Sequence, residues 1–533
     1  MTQTKIVATL GPVSAGRDMI ERFIDAGVDV VRLNMSHGTH ADHARAVDAV
    51  RDVAAERGRH IAVIADLCGP KVRTGDIEHE PAVIGVGDTC TIERRGDAGS
   101  ATRFTTNHPA LVDDVDVGHR VLIADGSIRL LVIDKRPDAL ICTCTTGGRI
   151  AARMGINVPD ARVSLPAVTD KDRADIAWAV RRRVDFVAMS FVRGPEDLAA
   201  LRAELARAGA DPPVIAKIET PQAVAAIDAV IDAADALLVA RGDLGVEMDV
   251  ARIPTLQKDL IARCRAAGKP VIVATQMLHS MVHRPTPTRA EATDVANAVL
   301  DGTDAVMLSE ESAVGRFPVE AIRVMNRIIQ DAQDYESNAR ARPTPQRHPA
   351  ITITPAASSP PPTAPPTTAQ PPSAAPPPSA FPAGPEPHHA PAPPASGTGG
   401  PVNAGPLAGV TDRTTAAVAH SAALICRDLG ARLVVVWSDT GRTAAGLSKY
   451  RIHPPIVGLS ASDAACRRLA LCFGVEPMLV AGAYADGTAP WADVQATLAE
   501  RFRLHTGDVL VVVGDPERAD RRATIRIHVI GEP

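Results

Sequence analysis

The stretch Val214-Ile-Ala-Lys-Ile-Glu-Thr220 ends an apolar run with a lysine and a carboxylate two residues apart. Alternate residues of a strand leave the same face, so Lys217 and Glu219 are predicted to point one way. A cation and an anion held that close suggest a site that handles phosphate and metal. Leu237-Leu-Val-Ala-Arg-Gly-Asp243 and Val271-Ile-Val-Ala-Thr-Gln-Met277 repeat the design, each a Val/Ile/Leu-rich run with a polar end. Three strands therefore aim chemistry in one direction.

Outward from these stretches, the order of apolar strand, polar end and amphipathic helix recurs from the N-terminus to about residue 333. Strands are predicted at Lys5 to Leu10, Asp29 to Met35, His60 to Leu67, Val184 to Phe191, Val214 to Glu219, Ala236 to Asp243, Pro270 to Met277 and Ala305 to Glu311. Eight strands alternating with helices specify an α/β fold, the (β/α)₈ TIM barrel. Active sites of that fold lie at the C-terminal ends of the strands, where Asn34, Ser36, Asp66, Lys217, Glu219, Asp243, Thr275 and Glu311 fall.

Residues 74–158 are too long for an ordinary βα loop and contain β-like runs such as Thr89 to Glu93, Arg120 to Ile123 and Ala139 to Cys142, broken by Gly and Asp turns. They read as a small inserted all-β domain, a β-barrel lid, between barrel segments 1–73 and 159–340. Beyond the barrel, 22 of the 44 prolines fall between Pro343 and Pro406. Lacking large apolar residues to offset ordering entropy, tract 341–408 is expected to be an extended, disordered linker. A second α/β pattern occupies 409–533, with strands predicted at Leu433 to Trp437, Ile456 to Leu459, Asp508 to Gly514 and Thr524 to Ile530. Its loop Ser438-Asp-Thr-Gly-Arg-Thr443 opens a helix, where amides and hydroxyls suit a phosphate.

At 533 residues and 45% hydrophobic content the chain can fill several domains. A net charge of −5 gives no basic footprint for nucleic acid, and no run of about 20 apolar residues is present to span a bilayer. The opening Met1-Thr-Gln-Thr-Lys-Ile-Val7 moves straight into a strand, without a signal peptide's plan, so a cytoplasmic protein is expected. The eight cysteines lack paired Cys-x₂-Cys spacing and read as reduced thiols.

Six blocks in order carry a family resemblance. Arg32-Leu-Asn-Met-Ser-His-Gly38, Asp66-Leu-Cys-Gly-Pro-Lys-Val-Arg73, Lys217-Ile-Glu219, Arg241-Gly-Asp-Leu-Gly-Val-Glu247, Ala274-Thr-Gln-Met-Leu278 and Pro287-Thr-Arg-Ala-Glu291 closely resemble the signature blocks of pyruvate kinase. The resemblance runs from Thr4 to about Ile329 and resumes more weakly from about Val410 to Val529. It implies a glycolytic enzyme that moves a phosphoryl group from phosphoenolpyruvate to ADP, giving pyruvate and ATP. It also implies a lid over the barrel mouth, with Ala124-Asp-Gly-Ser127 resembling its site-facing turn.

Such a transfer needs charge neutralisation, in-line positioning and a proton for the enolate. Lys217 is the first choice to neutralise the migrating group. Glu219 and Asp243 supply hard oxygens that suit Mg²⁺ or Mn²⁺. By resemblance, Arg32 binds the phosphoryl group, and Gly242, Asp243 and Thr275 hold the substrate carboxylate, with Thr275 on the protonation side. Asn34, His37 and Arg73 are nucleotide contacts, His37 alternatively capping the helix near Thr39. Glu247 reads as a supporting residue.

Asn34, Ser36 and Asp66 are candidate ligands for a monovalent cation. Leu67 and Lys71, however, resemble the potassium-independent branch, so the Lys71 ammonium is expected to replace K⁺. Ser438, Thr440, Gly441, Arg442 and Thr443 resemble a loop that binds phosphorylated effectors, and a homotetramer is implied. His279 and Glu310 depart from the common pattern, where Glu and Gly are usual. A barrel lyase with one Glu and one Asp on Mg²⁺ would not require the lid or the Arg32 block, and a non-catalytic relative would not require intact Lys217, Glu219, Asp243 and Thr275.

Overall fold

The computed structural model describes residues 2–78, 81–341, 410–480, 491–514 and 524–531. Eight parallel strands close into a barrel: β1 (Lys5–Leu10), β2 (Val30–Asn34), β3 (Ala62–Asp66), β4 (Phe186–Met189), β5 (Val214–Ile218), β6 (Ala236–Ala240), β7 (Val271–Ala274) and β8 (Ala305–Leu308). Each lies at a predicted position, usually shorter by a residue or more at its ends. The largest differences, three residues each, follow β6, β7 and β8. Arg241–Glu247 and Glu310–Ala313 are already helical, because a polar strand end gives no signal of where the chain turns.

Alternation along the strands sets two layers. Val30, Ile64, Phe186, Ala188, Ile215, Leu238, Ile272 and Met307 pack the barrel interior, while Val31, Val63, Val187, Val214 and Val239 pack against the surrounding helices. Continuing the inward set of β5 past Ile215 brings Lys217 and then Glu219 to the mouth.

The barrel floor repeats with every second strand. Asp29, Asp185, Asp235 and Asp304 each stand immediately before an even-numbered strand. Their carboxylates accept the N–H of Ile6, Val63, Val214 and Val271 at 3.0, 2.9, 2.8 and 3.0 Å. Each aspartate also donates its own N–H to the carbonyl of that same residue. Asp29 and Asp235 find cations within the barrel, Arg59 at 3.5 Å and Arg202 at 2.7 Å. Asp185 and Asp304, on strands opposite in the barrel, also bind the C-terminal domain: Arg467 lies 2.7 Å from Asp185 and Lys449 2.7 Å from Asp304. From the same domain, Leu471 is fully buried with the interior residues of the strands. A leucine buried this way contributes about 1.5–3 kcal/mol relative to exposure.

Between β3 and β4, the described residues of 72–157 form a seven-stranded sheet and a two-stranded ribbon over their own apolar core, with the four-residue helix Leu111–Asp114, and helix Asp170–Arg181 then leads into β4. Val72–Arg73 and the return strand Gly155–Asn157 pair with each other where the segment leaves and rejoins the barrel. The C-terminal sheet has β9 (Leu433–Trp437), β10 (Ile456–Ser460), β11 (Val475–Leu479), β12 (Val509–Val513) and β13 (Ile525–Val529), in the order β11-β10-β9-β12-β13. Only the β12–β13 pair is antiparallel. The proline-rich tract from Pro343 to Pro406 lies outside the described residues. All eight cysteines are free. Among the described residues no helix is long and apolar enough to cross a membrane.

Candidate active site

Lys217 sits at the end of β5 between two carboxylates. Its Nζ lies 2.8 Å from Glu219 Oε1 and 3.3 Å from Asp66 Oδ1, and donates to Ser190 Oγ at 2.7 Å. Burial disfavours the ammonium here, but Asp66 and Glu219 outweigh it and hold its pKa above the ordinary value. Asp66 bridges two cations, since Arg32 Nε donates to its other oxygen at 2.6 Å. Burial works against this carboxylate as well; Lys217 and Arg32 keep its pKa below the usual range. A second guanidinium nitrogen of Arg32 donates to Thr9 Oγ1 at 3.1 Å, which fixes its plane at the mouth.

Glu219 accepts the Phe191 N–H at 2.7 Å. Phe191 adopts φ = +56°, rare for an aromatic residue, and Glu219 and the following loop hold it there. Asp243 comes from the first turn of helix Arg241–Glu247. Burial, then the like charge of Glu219, pushes its carboxyl up to about 6. Two neighbouring carboxylates, one protonated more readily than usual because burial and its neighbour outweigh the charges of Lys217 and Lys71, form a donor set of the kind a divalent cation relieves. Among the described residues no group of three or more His, Cys, Asp or Glu side chains forms a metal cluster.

Thr275 and Gln276 follow β7 with φ of +69° and +57°. Arg241, anchored to Asp294 at 2.6 Å, donates to the Thr275 carbonyl at 2.9 Å and holds this strained turn. The Gly242 N–H donates to Thr275 Oγ1 at 2.7 Å, leaving the hydroxyl proton free to point elsewhere. A Cβ on Gly242 would lie 3.2 Å from that oxygen, tighter than ordinary contact, so glycine suits the approach.

The remaining expected residues divide. Asn34 ends β2, and its Oδ1 accepts the Ser36 N–H at 3.1 Å. His37 is exposed and does not cap the next helix; Thr39 does, in a capping box with Asp42. Arg73 lies on the lid stalk and donates to the Arg153 carbonyl at 3.0 Å. Lys71 Nζ stands 3.9 Å from Asp125 and 5.8 Å from the centre of the Phe191 ring, and its charge reaches Asp243. Glu311 turns away from the chemistry to accept the Leu278 and Ser309 amides at 3.0 and 2.8 Å. His279 and Glu310 face each other at 3.9 Å on the surface.

In the C-terminal domain, Ser438 to Gly441 form a tight turn after β9, and Arg442 and Thr443 open the helix Arg442–Ser448. The Ser438 N–H donates to the Leu459 carbonyl, and Gly441 has φ = +81° with Leu469 beneath it. Sequence reasoning missed Ser190 and Phe191. Ser190 follows β4 much as Glu219 follows β5, so its place at a strand end was the available signal.

Two family models match the chain: "Pyruvate kinase, barrel domain" over residues 1–322 and "Pyruvate kinase, alpha/beta domain" over 416–528. The pyruvate kinase of Geobacillus stearothermophilus is 35% identical over 99% of this chain and 81% of its own length. That of Staphylococcus aureus strain MRSA252 is 34% identical over 100% of this chain and 81% of its length. The crystal structure of a pyruvate kinase from Cryptosporidium parvum superposes with a TM-score of 0.81 at 29% identity, covering 99% of this chain and 96% of that one.

Proposed function

The chain belongs to the pyruvate kinase family and transfers the phosphoryl group of phosphoenolpyruvate to ADP, the last step of glycolysis, and we propose that Lys217, Arg32, Glu219, Asp243 and Thr275 carry that reaction. What supports this reading is the position of Lys217: a buried ammonium at the barrel mouth, kept charged by two carboxylates and aligned with Arg32 through Asp66.

Preorganised positive charge stabilises the negative charge of a phosphoryl group in transfer, and does so most where water is excluded. Lys217 acts on the migrating group and Arg32 grips its outer oxygens. Gly242, Asp243 and Thr275 receive the substrate carboxylate. Thr275, its oxygen already accepting from Gly242, directs its proton toward the enolate, either directly or through water. Asn34, His37 and Arg73 face the nucleotide.

Family members use a divalent cation. Glu219 and Asp243 would hold Mg²⁺ or Mn²⁺, which supplies charge neutralisation between carboxylate and phosphate oxygens when bound. Asn34, Ser36 and Asp66 remain the candidate monovalent ligands. Because Asp66 already engages Arg32 and Lys217, and Lys71 brings a fixed charge, potassium is not required.

The same reading makes Ser438, Thr440, Gly441, Arg442 and Thr443 the seat of a phosphorylated effector, tract 341–408 a tether, and the enzyme a cytoplasmic homotetramer. A coupled assay of pyruvate formation with and without ADP and Mg²⁺ tests the assignment when run on Lys217→Met beside the wild type. Near-normal turnover in the variant would remove Lys217 from the chemistry.

A further inference from the structure

Helix Arg241–Glu247 carries Asp243 near its start and Glu247 one turn later on the same side. The inserted domain meets this helix at two consecutive residues. Asn157, the buried last residue of the return strand Gly155–Asn157, donates its side-chain amide to Glu247 Oε1 at 2.7 Å. One residue earlier, Val246 lies under the turn Ala124–Ser127, close enough that a Cβ on Gly126 would be 3.5 Å from its Cγ1. That turn is left-handed throughout, with Ala124, Asp125 and Gly126 all at positive φ. The return strand pairs with Arg120–Ile123 on one side and Val72–Arg73 on the other, so whatever fixes Asn157 fixes the stalks of the domain.

We propose that Glu247 is a positioning residue for phosphoryl transfer, which by holding Asn157 fixes the lid against the helix that presents Asp243. The proposal rests on the reading of Glu219 and Asp243 as the metal pair. The pairing of a carboxyl with a carboxamide suits its surroundings. Glu219 from β5 and Asp243 from its own helix are like charges, while Arg120 on the lid opposes them; Lys71 and Arg193 line the same cleft. Burial above all pushes Glu247 up to about 7, aided by these two carboxylates and opposed by the Asn157 hydrogen bond and by Arg120. An amide can donate to the carboxylate or accept from the protonated acid, so the contact survives either state. A lysine in place of Asn157 would instead pull Glu247 into full ionisation beside the metal pair.

The test uses the full-length enzyme and three readouts: steady-state kinetics, amide hydrogen exchange, and direct Mn²⁺ binding. Glu247→Leu and Asn157→Leu are each expected to lower kcat about 10-fold or more, with KM for both substrates changed less than about 3-fold. The double variant should fall no further than the worse single, because one contact is removed either way. Exchange should quicken in 120–123 and 155–157 while the barrel strands stay protected. Glu247→Gln, which keeps an acceptor oxygen, should recover most of the lost kcat. Multiplied effects in the double variant, or unaltered exchange in the lid, would overturn the proposal. So would a collapse of Mn²⁺ affinity in Glu247→Gln, which would make Glu247 a metal ligand. Should Asp243→Asn leave Mn²⁺ binding intact, the metal reading fails, while exchange and non-additivity still decide the latch.

Discussion

Lys449 and Asp304 face each other across 2.7 Å at the barrel floor, both buried and Asp304 completely so, one from the C-terminal domain and one from the residue before β8. Breaking such a pair from one side leaves a buried charge uncompensated, at a cost of about 3–5 kcal/mol. Asp304→Asn is therefore expected to lower the thermal midpoint and to loosen the C-terminal domain first. Burial favours the neutral acid, yet Lys449 and Arg451 outweigh it and hold Asp304 below the usual carboxylate range. A depressed folded-state pKa stabilises above the unfolded value and is lost as pH falls through the folded one. Thermal scans from pH 7 to pH 3 should show the gap between the wild type and Asp304→Asn begin to narrow as pH falls below the unfolded carboxylate value. A gap that does not narrow at all by pH 3 would mean that ionisation of Asp304 is not what matters.

Lys217→Met should reduce kcat by roughly 10²-fold or more, since one preorganised charge on a transferring group is worth several kcal/mol. It should also destabilise, because Asp66 and Glu219 lose the ammonium between them. Comparing kcat with the unfolding midpoint separates the two effects. A stable variant with wild-type turnover is incompatible with the assigned role.

Glu219→Gln and Asp243→Asn should raise the Mg²⁺ requirement as well as slow the reaction. Asp243 is pushed up to about 6 in the free enzyme, so protons compete with metal below that pH. Mn²⁺ affinity, followed by electron paramagnetic resonance, should weaken from pH 7 toward pH 5.5, and Asp243→Asn should bind weakly throughout. Affinity that is flat across this range would place the metal elsewhere.

Lys71 offers a built-in charge near Asp243. Substantial activity is expected in Mg²⁺ with tetramethylammonium as the only other cation, and Lys71→Glu should acquire a potassium requirement. A wild-type enzyme almost inactive until potassium is added would refute this role for Lys71 alone.

The barrel was legible because parallel strands buried on both faces read as continuous apolar runs, as in Leu237 to Ala240 and Val271 to Ala274. Lys217 and Glu219 were legible because their spacing fixes a shared face. β11 was not: Val475-Glu-Pro-Met-Leu479 has a charge and a proline, tolerated because it is an edge strand. Nor were Ser190 and Phe191, whose importance comes from partners on β3 and β5. The floor aspartates look like turn residues until the amides they accept, on other strands, are seen.

Those four aspartate clamps do not close equal lengths of chain. Asp29, Asp235 and Asp304 reach back 23, 21 and 33 residues, but Asp185 reaches back 122, enclosing the whole insertion. Loop-closure entropy rises by about 0.6 kcal/mol per doubling, so this clamp costs about 1.2 kcal/mol more to form than its shorter counterparts. It is also the one gripped by two arginines, Arg51 and Arg467, each 2.7 Å away. The longest closure in the barrel floor is thus the one that carries two guanidinium contacts, one from the barrel's own helix and one lent by the C-terminal domain.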